Sequence, residues 1–109
     1  MKPAMVMLAF ALMTGSAEAQ KDTFTVVSPT SCGGWTAHRR DNTADVPEFW
    51  VLGFLSGAAA GSWASPARLD PLNGVDAEGV WAWIDNYCRT HPLDSLVNAA
   101  VMFLREHPR

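Results

Sequence analysis

Two cysteines, three histidines and a scatter of carboxylates are the residues of this chain that could do chemistry. His38, His91 and His107 fall on separate segments. None stands four residues from another on a helix, and none accompanies a cysteine at zinc spacing. Ser31 and His38 offer a nucleophile and a base, but no third member is marked to orient them. Asp41 with Asp45, and Asp76 with Glu78, form carboxylate pairs. Each pair flanks a predicted helix start, where acids favour the positive end of the helix dipole. No glycine-rich loop has the phosphate-cradling pattern. These residues predict no catalytic residue, no bound metal and no cofactor, and a protein that is not an enzyme.

The two cysteines depend on compartment. Lys2 is followed by an uncharged apolar run, Ala4 to Met13, and then by Ala17-Glu18-Ala19. A short positive start, an apolar stretch and a small-x-small site describe a cleavable signal peptide over residues 1–19. The run is too short for a spanning helix, which needs about 20 apolar residues. The expected protein is then one periplasmic domain, residues 20–109. In an exported chain an even cysteine count reads as a disulfide, and two cysteines allow only Cys32–Cys88. Closing a loop of about 57 residues stabilises a fold by roughly 4 kcal/mol in the chain-entropy account.

Charge narrows the partners. The formal net charge is −3 at pH 7. There is no run of Lys or Arg and no interleaving of Arg with aromatics, so nucleic acid is excluded as a partner class.

Four helices must position these residues. Residues 20–31 read as an extended arm with a β-like patch at Phe24–Val27, ended by Pro29. Ser31 is placed to cap a short first helix holding Cys32 and Trp35, which Gly33 and Gly34 weaken. Pro47 suits the first turn of a second helix reaching about Ser62. That segment is apolar nearly all round. Gly53, Gly57 and Gly61 recur every fourth residue and share one face. Each costs about 1 kcal/mol relative to Ala in a helix, so the face is expected to sit close against another backbone. The same stripe fits a membrane-associated protein, since such faces occur between spanning helices. Against that, the run is rich in Gly, Ala and Ser, and Pro66 cuts it short.

Trp63 to Gly74 reads as a loop. Asp76 is a good cap for a third helix over Ala77–Arg89, with Val80, Ile84, Tyr87 and Cys88 at helical spacing. Pro92 marks the start of a fourth. There Leu93, Leu96, Val97, Ala100, Val101 and Leu104 make an unbroken apolar stripe, and Pro108 ends it. The expectation is an all-α bundle of about four helices with one disulfide. Five tryptophans crowd this small chain. Trp81 and Trp83 cannot face the same way on one helix. Trp63, Trp81 and Trp83 are therefore candidate protein-binding residues.

Several of these marks recur in one order: Cys32 with Trp35, Trp50-Val51-Leu52-Gly53-Phe54-Leu55-Ser56-Gly57, Trp83-Ile84-Asp85-Asn86-Tyr87-Cys88, His91-Pro92-Leu93 and a final Ala99-Ala100 helix. In this order the chain resembles the HdeA/HdeB family of periplasmic acid-stress chaperones. His91-Pro92 departs from that family's commoner Asn-Pro turn. It is also similar to the Tai-type periplasmic immunity proteins. The first resemblance implies a protein folded near neutral pH that opens in acid and holds unfolding clients. Carboxylates with depressed folded pKa values stabilise a fold above their unfolded value, and that stability is lost as pH falls through the folded one. The second implies an inhibitor of one secreted enzyme. Both make other proteins the expected partners.

Overall fold

The computed structural model describes residues 24–109. The expected signal peptide and the first residues of the arm lie outside the described residues. Four helices follow in order: α1 (Cys32–Arg40), α2 (Asp45–Ser62), α3 (Ala77–Thr90) and α4 (Leu96–Glu106). Among the described residues there is no strand. The β-like patch at Phe24–Val27 runs without regular structure. Trp50 Nε1 donates to the Val27 carbonyl at 3.0 Å and holds the arm beside α2.

Local chemistry sets each helix start. The Ser31 side chain accepts from Gly34 N, Asp76 from Gly79 N and Ser95 from Asn98 N, each satisfying an amide that the helix leaves unpaired. α2 has no side-chain cap. It begins at Asp45, two residues ahead of Pro47, with Asp45 and Glu48 in its first turn. Proline fits there because first-turn amides have no helical partner to lose.

α4 begins four residues later than the apolar spacing predicts. Segment 92–95 is a turn that ties elements together. The Asp94 carbonyl accepts from Cys32 N at 2.9 Å, and Ser31 and Ser95 form a single antiparallel bridge. Leu93, expected in the buried stripe, is consequently 100% exposed.

The core gathers Trp35 from α1, Val51 and Leu55 from α2, Val80 and Ile84 from α3, and Leu96, Ala99, Ala100 and Phe103 from α4. The Cys32–Cys88 disulfide lies inside it, with both cysteines buried. It joins the start of α1 to the last turn of α3. Burying one Val, Leu, Ile or Phe side chain contributes about 1.5–3 kcal/mol, so these contacts dominate the balance.

α2 corrects the expectation for its glycines. Its buried residues are Pro47, Val51 and Leu55, a single stripe at four-residue spacing. A Cβ added at Gly53, Gly57 or Gly61 would meet nothing within 4 Å. The glycine face is therefore open and is not the close-packed centre of the fold. Three short partner helices suffice to cover one side of an 18-residue helix, and the side they cover is that of Val51 and Leu55. No described helix is long and apolar enough to cross a membrane.

Candidate protein-binding surface

Most of the residues with catalytic potential are engaged locally, and Asp45 and Glu78 stand exposed in the first turns of α2 and α3. Ser31 caps α1, while His38 Nδ1 pairs with Thr43 Oγ1 at 2.9 Å. Asp41 meets Arg40, its chain neighbour, and Asp76 caps α3. His91 and His107 are the C-caps of α3 and α4, and each precedes a proline. Each turns its Nδ1 back to the carbonyl four residues earlier, on Tyr87 and Phe103. Each ring also stacks on that same residue, with centroids 4.2 and 4.3 Å apart. Among the described residues, no group of three or more His, Cys, Asp or Glu side chains stands together as a metal site.

Two polar nodes hold the helices in place. In the first, Arg39 on α1 donates to both oxygens of Asp85 on α3 at 3.1 and 3.0 Å, and to Glu48 on α2 at 2.8 Å. Asp85 also accepts from Trp35 Nε1 at 2.7 Å. Trp81 donates to the Glu48 carbonyl. The guanidinium lies over the Trp35 and Trp81 rings, about 6 Å from each centroid. Its pKa is raised, first by the hydrogen bond to Asp85 and then by Glu48, against the cost of partial desolvation. One side chain on α1 thus links α2 and α3.

The second node is Asp94. Its carboxylate accepts from Tyr87 Oη, from Ser95 N at 2.8 Å and from Asn98 Nδ2 at 2.7 Å. These donors, the Tyr87 hydroxyl foremost, hold its pKa below the usual carboxylate value. The same contact pushes Tyr87 up to about 12.

The three candidate tryptophans separate. Trp83 stacks on Tyr87 and meets Phe103 edge-on, and Trp81 is half-buried against the core. Trp63, the C-cap of α2, is 61% exposed, with Arg68 across its ring at 4.9 Å. Val46 and Phe49, each 68% exposed, lie at the other end of α2. Between them run the open Gly53, Gly57 and Gly61. The outward side of α2 is thus a strip of exposed apolar side chains and bare backbone that carries no charge between Phe49 and Trp63.

Sequence reasoning singled out Trp63 but missed Val46 and Phe49. An apolar helix with no polar face does not declare which side the rest of the chain will cover. It also missed the Arg39 node, whose partners lie 9 and 46 residues away and form no local motif. No known protein family, curated protein or solved structure matches this chain.

Proposed function

We propose that this chain is an exported protein whose work is to bind other proteins, and that it binds them through the outward side of α2. The observation that carries this reading is the uncovered strip of Val46, Phe49, Gly53, Gly57, Gly61 and Trp63. Exposed large apolar groups beside bare glycine backbone let a partner helix or strand approach closely. Such strips mark interaction sites more often than isolated surface residues do. The disulfide is compatible with export.

Two modes fit this surface. In the first, which the resemblance to acid-stress chaperones suggests, the domain loosens in acid and holds unfolding clients. Asp94 supports it, because its depressed pKa makes part of the stability acid-labile. In the second, a folded domain inhibits one dedicated enzyme. The strip supports this mode because it is open in the folded state and needs no trigger.

The test is capture by a photo-crosslinker at position 46, at neutral pH and at pH 2–4, with Phe49→Ser in the same protein as control. Many clients captured only in acid, with their aggregation suppressed, indicate the chaperone mode. One stoichiometric partner at neutral pH indicates the inhibitor. Recovery with lipid alone, or capture unaffected by Phe49→Ser, rejects the protein-binding surface.

A further inference from the structure

A cleft of about 420 Å³ lies between α1 and α3, lined by Thr36, Arg39, Arg40, Asp85 and Arg89. It collects three of the six arginines among the described residues, in a chain of net charge −3. The residues form two facing ladders, each spaced by one helical turn: Thr36 with Arg40 on α1, and Asp85 with Arg89 on α3.

The charges divide by how firmly they are held. Arg39 forms the inner wall and is committed to Asp85 and Glu48. Asp85 is also spent, accepting from Arg39 and Trp35, so its negative charge is already offset inside the cleft. Arg40 stands at the rim. Its one ion-pair partner among the described residues is the adjacent Asp41, at 3.0 Å, in a pair whose side chains are 72% and 56% exposed. Exposed pairs of that kind are weak and exchange readily. Arg89 in the last turn of α3 is exposed and has no ion-pair partner among the described residues. Two available arginines, Arg40 from α1 and Arg89 from α3, therefore line one recess, with Thr36 one turn before Arg40.

We propose that this cleft receives clustered carboxylates, two acidic side chains presented by a partner polypeptide. Guanidinium forks match carboxylate geometry in pairs of parallel hydrogen bonds, and two forks on opposite walls select two carboxylates over one. The chain's overall negative charge works against a uniformly acidic partner, so the recognition is local and salt-sensitive. This inference builds on the protein-binding reading and adds a second, polar contact on a different side of the domain.

The test uses the disulfide-bonded protein, followed by amide NMR shifts, with a capped Glu-Ala-Ala-Glu peptide and its Gln-Ala-Ala-Gln counterpart. The acidic peptide should shift the amides around Thr36, Arg40 and Arg89, and the Gln peptide should not. Arg40→Gln with Arg89→Gln should weaken binding ~10-fold or more and reduce its salt dependence, with the remaining spectrum unchanged. Phe49→Ser should bind the peptide as the parent does, so loss of the α2 surface and loss of the cleft are read separately. Equal binding of both peptides, or full binding by the double variant, overturns the proposal. Inorganic phosphate binding there more tightly than the acidic peptide would overturn the assignment to a polypeptide ligand.

Discussion

α2 and α4 are both apolar helices, yet they meet water in different ways. α4 buries Leu96, Ala99, Ala100 and Phe103 in one continuous stripe and turns Asn98, Arg105 and Glu106 outward. α2 buries Pro47, Val51 and Leu55 and turns outward Val46, Phe49 and three glycines. The glycines make the contrast sharper. A side chain at Gly34 in α1 would collide with Thr30, whereas one at Gly57 in α2 would enter open space. Glycine spacing alone therefore does not mark a packed face. It marks a face where backbone is available, either to the fold or to a partner.

The largest effect should come from the interior side of that contrast. Replacing both cysteines, Cys32→Ala with Cys88→Ala, removes a link across 56 positions of sequence. Urea unfolding should show a loss of about 4 kcal/mol. A loss below about 1 kcal/mol would mean that packing alone holds α1 to α3, and the interior would owe little to the bond.

Arg39→Met comes next. It strands Glu48 and Asp85, whose side chains are only 13% and 38% exposed, and releases the Trp35 hydrogen-bond network. Equilibrium unfolding should show a loss of about 2 kcal/mol. The double variant Arg39→Met with Asp85→Leu should recover part of it, which separates a lost pair from a stranded charge.

Asp94→Asn should cost about 1–2 kcal/mol near neutral pH. The sign follows from the depressed pKa: the carboxylate's contribution is present above its ordinary value of 3.8 and is lost as pH falls through the lower folded value. The parent and the variant should therefore converge in stability below about pH 4 in a pH series of unfolding midpoints. A gap that persists unchanged into acid would show that Asp94 works through shape and not through charge.

The smallest effect tests the outer side. Gly57→Ala should raise stability by about 0.5–1 kcal/mol, because the methyl meets nothing and the unfolded chain loses freedom. If it destabilised the monomer, the face would be covered and the comparison would fail. In the bound state the same methyl should weaken the partner's approach, so gain in stability and loss of capture should appear together.

Much of this architecture was legible in the sequence, and the exceptions share a cause. Ser31 and Asp76 announced helix starts because capping is a local hydrogen bond between residues three apart. The pairing of Cys32 with Cys88 followed from there being only two cysteines. The α4 start was misplaced because Leu93 continues an apolar spacing that the chain abandons in favour of the Asp94–Cys32 backbone contact. That contact spans 62 residues and leaves no mark in the letters around it. The orientation of α2 and the Arg39 node were hidden for the same reason. Each is decided by what the other helices bring alongside, not by the segment itself.

The disulfide also governs how the molecule would respond to being pulled. Tension applied between Phe24 and Arg109 passes from Cys32 straight to Cys88 and bypasses α2, the Trp63 loop and nearly all of α3. Only the arm and the stretch from Arg89 to the end can be drawn out. That is about 29 residues, or ~100 Å of extended chain. A machine that threads the chain from either end would reach a closed ring of polypeptide and would have to admit more than one strand at once. The mechanical endurance of this small domain is thus set by the redox state around it, and a reductant would convert a stalled substrate into a readily unravelled one.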